Sequence, residues 1–247
     1  MLKGLVENVL RRFERKLVYV PKNTVWGSDL WEDLRTVIAS ENPICLDVGA
    51  NIGQTIERFL GTFKQPTIHA FEPSPASFEQ LRRYETNPLV RIHNEGVGDV
   101  AGELLFNEYR SSDLSSFLSI SDSLESRFSG AQPKRTLLRK VVTIDDFLSQ
   151  QSMASVDVLK SDTQGFELKV LHGAAASLEN GAIKTVLLEM NFIQVYDGQS
   201  SVAEIFDFLS GKGYGLVDLY EKERRHNQIQ WCNALFGLKP GRADAKS

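Results

Sequence analysis

The residues with the clearest potential for chemistry lie in the run D-V-G-A-N-I-G, which spans residues 47–53. An apolar segment precedes this run, so Gly49 and Gly53 indicate a tight turn between a buried strand and a helix. Glycines let a backbone approach a ligand closely, and a helix N-terminus offers free N–H donors. A second apolar segment ends at Phe71-Glu72-Pro73, where a carboxylate can hold the hydroxyls of a ribose. The spacing predicts a site for a cofactor that contains a nucleoside.

The order of glycines and acidic residues separates two kinds of nucleoside cofactor. A dinucleotide fingerprint would read G-x-G-x-x-G, whereas this run reads D-x-G-x-N-x-G. Asp47 would repel a pyrophosphate, but it suits the cationic amino-acid end of S-adenosylmethionine. The alternatives are a dinucleotide site and an ordinary strand-to-helix turn with a hydrogen-bonded aspartate. The candidate cofactor-binding residues here are Asp47, Gly49, Ala50, Asn51, Gly53, Glu72 and Pro73, and Asp162 of a second motif is a further candidate.

A second motif, K-S-D-T-Q-G-F-E at residues 160–167, supplies candidate catalytic groups. One strand is predicted to end near Asp162 and the next at Glu189, so both carboxylates should face the crevice beside Gly49. One carboxylate could accept a proton from an attacking hydroxyl, and the pair could hold a divalent cation such as Mg²⁺. Gln164 could hydrogen-bond a substrate hydroxyl. Glu167 opens the following helix, where an acidic residue favours the helix dipole, so we interpret it as structural.

These groups must be positioned by elements that alternate between strand and helix from residue 43 onward. Such alternation predicts an α/β fold with a mostly parallel sheet and helices on both faces. The last two strands have no helix between them, so they should form an antiparallel hairpin at one edge, joined by a charged turn at 221–228. Strands are predicted at 44–48, 67–72, 89–94, 156–160, 184–190, 216–220 and 231–238. Helices are predicted at 53–63, 75–84 with Ser74 as N-cap, 166–171 and 202–209.

Three segments lie outside this alternation. Residues 1–42 form a predicted helical extension, with helices at 1–19 and 26–39, the latter capped by Ser28 or Asp29. The first helix would pack on the domain or on a second subunit in a homodimer, or else lie on an anionic membrane surface. The serine-rich insertion at 102–140 within the domain (43–240) begins with a predicted short strand at 103–106. The insertion is interpreted as a lid with Ser115 and Ser116 facing substrate, or as a surface insertion. Residues 241–247 are a predicted disordered tail.

Composition limits the classes of partner and compartment. The 247 residues carry a net charge of −4, and no basic stripe favours nucleic acid. No apolar stretch reaches the ~18 residues that a transmembrane segment needs. The two cysteines, Cys45 and Cys232, lie in apolar runs, so we expect free buried thiols and a reducing, cytoplasmic setting.

Taken together, D-V-G-A-N-I-G-Q, F-E-P, E-G-V-G-D at 95–99 and K-S-D-T-Q-G-F-E-L-K-V-L-H-G resemble the FkbM-type S-adenosylmethionine-dependent methyltransferases. The resemblance covers residues 45–189, with weaker agreement to 238. It implies the class I, Rossmann-like fold with a seven-stranded sheet, and O-methylation of sugars or other natural-product hydroxyls. It also implies the following placement: the methionine end on Asp47, Gly49, Asn51 and Gly53, the ribose on Glu72, the adenine near Gly98 and Asp99, and the reacting groups near Asp162.

One position departs from the family pattern, which commonly reads D-x-E-G where this chain has Gln164. A carboxylate used for metal binding or base catalysis would be missing here. We therefore expect an O-methyltransferase acting on a small-molecule or glycan acceptor, and keep two alternatives. One is a catalytically silent cofactor-binding partner subunit, and the other is an NAD-linked Rossmann oxidoreductase.

Overall fold

A computed structural model of the chain describes residues 26–121 and 133–239. The predicted helix at 1–19, the middle of the insertion and the predicted tail lie outside these ranges. The strands are β1 Ile44–Val48, β2 Thr67–Phe71, β3 Val90–His93, β4 Gly96–Val97, β5 Gly102–Glu108, β6 Arg135–Val142, β7 Val156–Ser161, β8 Ile183–Asn191, β9 Tyr214–Arg225 and β10 Gln228–Leu238. The helices are α1 Leu30–Ile38, α2 Gln54–Thr62, α3 Pro75–Leu81, α4 Ile144–Gln150, α5 Glu167–His172, α6 Ala175–Glu179 and α7 Val202–Gly211.

The main sheet has seven strands in the order β3-β2-β1-β7-β8-β10-β9. Strands β3, β2, β1, β7 and β8 run parallel, and β10 runs antiparallel to both β8 and β9. The predicted parallel sheet with an antiparallel edge hairpin is therefore confirmed. The strand order reverses at β1, because β2 lies on one side of it and β7 on the other. Ligands of open α/β sheets bind at the carboxyl ends of the strands beside such a reversal.

Apolar layers cover both faces of this sheet, which explains why its central strands are buried along their whole length. Leu34 of α1 and Phe59 of α2 pack on one face. Phe147 of α4, Leu171 of α5 and Leu209 of α7 pack on the other. Both cysteines are free and buried, as predicted. Within the described ranges, no helix is long and apolar enough to cross a membrane.

The hairpin at the sheet edge is longer than predicted. The charged segment assigned to a turn at 221–228 is mostly strand, because β9 runs to Arg225 and β10 begins at Gln228. The turn itself is His226-Asn227, whose φ angles of 49° and 65° suit a two-residue hairpin. Sequence patterning missed this extension because its side chains alternate between two exposed faces and carry no apolar period.

Two segments outside the main sheet can also be compared with the prediction: the insertion differs from it in detail, and the cap of α1 is one of the two predicted residues. The insertion forms a small sheet in the order β4-β6-β5, whereas only a strand at 103–106 was predicted. Strand β6 was missed because its charged side chains, such as Lys140, are exposed and break the apolar pattern. Near the N-terminus, α1 is capped by Asp29, whose carboxylate accepts the N–H groups of Trp31 and Glu32. Asp29 was one of the two predicted caps.

Candidate active site

A cavity opens at the carboxyl ends of β1, β2, β7 and β8, with the insertion on its far side. The sequence-predicted residues on its wall are Gly49, Ala50, Asn51, Glu72, Pro73, Ser115, Asp162, Gln164 and Glu189. Other wall residues include Gln54, Thr55, Gly96, Val97, Phe106, Ser112, Asp113, Phe117, Lys160 and Thr163. The structure thus brings the two sequence motifs to one cavity, although more than a hundred residues separate them.

The turn after β1 holds its shape through backbone contacts on both sides. The N–H groups of Gly49 and Ala50 each donate to the carbonyl oxygen of Phe71 at 3.0 Å. Gly49 has a φ of 77°, and a Cβ at this position would overlap the carbonyl oxygen of Asp162. Only glycine therefore fits between β1 and the end of β7. Gly53 does not line the cavity; it is the N-cap of α2, packed against the ring of Tyr84.

Glu72 is buried beneath the same turn, with 5% of its surface exposed. Its Oε2 accepts the N–H of Asn51 at 2.8 Å, and its Oε1 accepts the N–H of Ser74 at 2.8 Å. Burial raises the pKa of Glu72 to about 7, although these two backbone hydrogen bonds lower it. Each oxygen keeps a second lone pair, so the carboxylate can still accept hydroxyl groups of a ligand.

Asp47 is fully buried and lies behind the wall of the cavity. The Nζ atom of Lys160 lies 3.0 Å from its Oδ1, 3.1 Å from the carbonyl oxygen of Gly49 and 3.8 Å from Asp162 Oδ2. Burial raises the pKa of Asp47, and the charge of Lys160 opposes that shift. The ammonium of Lys160 thus accompanies the Asp47 carboxylate. The sequence held a signal for this pair, since Lys160 is a charge in an otherwise apolar strand.

The two predicted catalytic carboxylates meet on the amide of Gln164. Gln164 Nε2 donates to Asp162 Oδ1 at 2.8 Å and to Glu189 Oε1 at 2.9 Å. Burial, followed by the nearby charge of Asp162, raises the pKa of Glu189 well above its usual range. Glu189 is therefore protonated near neutral pH.

This arrangement does not fit a divalent cation. The amide N–H groups of Gln164 occupy the space between the two carboxylates that a cation would need. The described parts of the chain contain no group of three or more His, Cys, Asp or Glu side chains arranged to hold a metal. The Mg²⁺ site considered from the sequence thus has no supporting geometry.

Glu167 holds the loop that carries these residues. Its Oε1 accepts the N–H of Thr163 at 2.8 Å and the N–H of Gly165 at 3.2 Å. Only 3% of its surface is exposed, and burial raises its pKa to about 7. The carboxylate therefore acts on its own loop, which agrees with the structural interpretation.

Three predicted contacts lie elsewhere. The Ser116 hydroxyl is buried and donates to the backbone oxygen of Gln164 at 2.8 Å, so it binds the protein itself. Gly98 packs against the ring of Phe166, and Asp99 pairs with Lys169 at 2.7 Å outside the cavity. The short strand β4 turns Gly96 and Val97, two residues earlier, toward the cavity instead.

The insertion supplies wall residues that no sequence motif signalled. The rings of Phe106 and Phe117 pack edge to face at 5.0 Å, and Phe117 also packs against Phe166 at 5.3 Å. Asp113 adds a carboxylate to the same wall. The serine-rich run has no periodicity, so the sequence alone could not show which of its side chains turn inward.

The strand order with an antiparallel β10, and a cavity next to the glycine turn after β1, define a class I methyltransferase. Residues 47–216 match the family model described as "Methyltransferase FkbM domain". The chain belongs to this FkbM family of S-adenosylmethionine-dependent methyltransferases, as the sequence motifs predicted.

Similar proteins include two with curated names. The 2-O-methyltransferase NoeI of Sinorhizobium fredii (strain NBRC 101917 / NGR234) is 24% identical over 182 residues, which cover 70% of this chain and 74% of NoeI. The 31-O-demethyl-FK506 methyltransferase FkbM of Streptomyces tacrolimicus is 26% identical over 207 residues, which cover 70% of this chain and 73% of that protein. A solved TehB-like SAM-dependent methyltransferase from Corynebacterium glutamicum matches with a TM-score of 0.44 and 11% identity over 96% of each chain. Because this TM-score is low, the fold assignment rests on the strand order and on the family match.

Proposed function

We propose that this chain transfers the methyl group of S-adenosylmethionine to a hydroxyl group of a sugar, a glycan or a natural-product small molecule. The observation that carries the proposal is the position of Asp162, a proton acceptor on the wall of the cavity that also contains the Gly49 turn and Glu72. The names of NoeI and FkbM from Streptomyces tacrolimicus, both O-methyltransferases, support a hydroxyl acceptor.

The residues of the turn fit the proposed cofactor. Gly49 lets the turn pack directly against the end of β7, and Glu72 offers two oxygens to a ribose diol. Ala50, Asn51 and Pro73 border this part of the cavity, and the wall residues of β4 would face the adenine. S-adenosylmethionine, when bound, would supply a methyl group attached to a positively charged sulfur. The thioether that is left after transfer is uncharged, so no residue has to act as an acid.

The carboxylate cluster supplies the chemistry that a neutral hydroxyl needs. Asp162 accepts the hydroxyl proton, and Gln164 holds the Asp162 carboxylate in place. General-base help of this kind is worth about 10²–10⁴-fold in rate. Positioning of the hydroxyl contributes further, and the aromatic side chains Phe106 and Phe117 of the insertion would exclude water. No metal step is needed in this scheme.

Cofactor binding is tested first, by calorimetric titration with S-adenosylmethionine and S-adenosylhomocysteine, with and without Mg²⁺ and with NAD as a control. We expect both methyl-cycle ligands to bind and Mg²⁺ to change nothing. Preference for NAD would contradict the proposal. Transfer is then measured with methyl-labelled S-adenosylmethionine and a panel of glycosides and macrocyclic alcohols.

Asp162→Asn should lower the turnover of the accepted hydroxyl about 10²–10⁴-fold, because the side-chain amide cannot accept the proton. Its affinity for S-adenosylhomocysteine should stay unchanged. The matched control is Asp207→Asn, an exposed aspartate on α7, which should leave turnover intact. Cofactor binding without transfer to any hydroxyl acceptor would instead favour the silent partner subunit, and label on nitrogen or carbon would favour a different methyl acceptor.

A further inference from the structure

The orientation of the Gln164 amide is fixed by its neighbours. An amide turned by 180° would place its oxygen against the carboxylate of Asp162, which is repulsive. In the observed orientation, Nε2 donates to both carboxylates and Oε1 faces the hydroxyl of Tyr196 at 3.1 Å. A donor to Oε1 on the opposite side therefore favours the orientation in which the N–H groups face the catalytic pair.

Tyr196 is that donor. Its side chain is fully buried, and its hydroxyl lies 3.0 Å from the carbonyl oxygen of Leu114 and 3.1 Å from Gln164 Oε1. Both of these oxygens only accept, so the single hydroxyl proton is shared between the insertion and the catalytic loop. Tyr196 lies on the segment after β8, where no sequence motif indicated a functional residue.

The insertion holds Tyr196 in place. Ile120 forms an isolated β-bridge with Tyr196, and the two side chains share a small core with Tyr109. Around this bridge, the N–H of Ser121 donates to the carbonyl of Val195, and the N–H of Asp197 donates to the carbonyl of Ser119, each at 2.9 Å. The position of the Tyr196 hydroxyl therefore depends on how the insertion docks on this segment.

We propose that Tyr196 is a positioning residue which locks the Gln164 amide, so that docking of the insertion presents Asp162 and Glu189 in their working arrangement. The catalytic role of this arrangement rests on the proposed function, because Asp162 acts as a base only if the chain transfers methyl groups to hydroxyl groups. The lock itself is testable without any methyl transfer, so its failure is distinguishable from failure of the proposed function.

The test is hydrogen exchange of the Gln164 side-chain amide protons in ¹⁵N-labelled full-length protein. Their resonances are assigned by their loss in Gln164→Ala, and the exposed Gln80 gives the unprotected reference. In the unmodified protein we expect slow exchange for Gln164 and a resonance that follows the ionisation of the carboxylates. Exchange as fast as that of Gln80 would overturn the proposal.

Tyr196→Phe keeps the ring in the small core but removes the hydroxyl. We expect Gln164 amide exchange to become about tenfold faster, since a hydrogen bond of this kind is worth about that factor. The matched control is Tyr220→Phe, a buried tyrosine of β9 in a different core, whose hydroxyl donates to Asp33 Oδ2 at 2.8 Å; there the exchange should stay slow. Unchanged exchange in Tyr196→Phe, or equal acceleration in both variants, would overturn the proposal.

A second measurement covers the case in which Tyr196→Phe does not fold. Uniform 3-fluorotyrosine keeps every hydroxyl but makes each a stronger donor. The Gln164 amide resonances should then move while those of Gln80 stay in place. Resonances of Gln164 that do not move would show that the Tyr196 hydroxyl does not hold this amide.

Discussion

At the scale of single residues, one uncharged side chain decides the character of the catalytic cluster. The Gln164 amide donates to the carboxylate of Asp162 and to the carboxyl group of Glu189, which keeps its proton near neutral pH. A glutamate at this position would have no such donors when ionised. The chain therefore keeps its carboxylates together by hydrogen bonds, where a third carboxylate would call for protons or a cation.

Gln164→Glu should convert the cluster into one that responds to divalent cations. We expect a lower melting temperature than that of the unmodified protein at pH 8, because the new carboxylate would lie against the carboxylate of Asp162 and the two would repel each other. Added Mg²⁺ should restore part of the loss, since hard cations prefer oxygen ligands and binding to the folded state stabilises it. The measurement is thermal unfolding with and without Mg²⁺ or a chelator. Equal responses in the two proteins would contradict our account of the amide.

Glu72 predicts a pH dependence of cofactor affinity. Its pKa is raised to about 7 by burial, and the hydroxyls of a ribose would donate best to the ionised form. Affinity for S-adenosylhomocysteine should therefore increase from pH 6 to 8, with a slope of at most about tenfold per pH unit below 7.

Glu72→Gln should bind more weakly and remove the part of the pH dependence that Glu72 causes. The control is Glu79→Gln, an exposed residue of α3, which should keep the slope of the unmodified protein. Calorimetric titration at several pH values measures all three. An identical slope in Glu72→Gln would assign the pH dependence to another group.

At the scale of elements, the turn between β1 and α2 depends on a close approach of backbones. Gly49→Ala would force a Cβ against the carbonyl oxygen of Asp162 at a φ of 77°. We expect a loss of about 3 kcal/mol or more in the free energy of unfolding, together with loss of cofactor binding. Urea denaturation measures the first effect and calorimetry the second.

Gly61→Ala provides the matched comparison within α2. A Cβ there meets nothing within 4 Å, and alanine favours the helix by about 0.5–1 kcal/mol. This variant should therefore be slightly more stable than the unmodified protein. Similar losses in both variants would mean that the close approach at Gly49 is not the cause.

Comparison of the predicted and observed elements shows which parts of the structure the sequence patterns could predict. Buried parallel strands such as β1 and β7 were predicted within about one residue, because apolar runs bounded by turn residues have few other interpretations. Both carboxylates were placed correctly at neighbouring strand ends for the same reason. Strand β6 and the outer half of the hairpin were missed, because exposed charged side chains carry no period. Tyr196 was missed because its contacts join segments far apart in the chain.

At the scale of the whole molecule, buried acids make stability depend on pH. Burial raises the pKa of Glu72 and of Glu167 to about 7, and that of Glu189 also rises. The folded state thus binds more protons than the unfolded state, in which a glutamate titrates near 4.3. These groups contribute stability at low pH that is lost as the pH rises through about 7.

We therefore expect the free energy of unfolding to fall between pH 5 and 8, with Glu167 contributing about 3 kcal/mol of the change. Glu167→Gln still accepts the loop N–H groups but cannot ionise, so its stability should vary less with pH. Glu41→Gln, at an exposed site, is the control and should follow the unmodified protein. Urea denaturation at a series of pH values gives the comparison; parallel curves for Glu167→Gln and the unmodified protein would rule out this source.

The position of β10 has a consequence for the order in which the sheet assembles. β10 lies between β8 and β9 in the sheet, but it follows β9 in the chain. On a growing polypeptide, β9 therefore emerges before the strand that joins it to the rest of the sheet, while β8 still has an unpaired edge. Because β9 and β10 are joined by a two-residue turn, they can pair with each other as soon as both are made, and the edge of β8 stays unpaired until this hairpin docks on it.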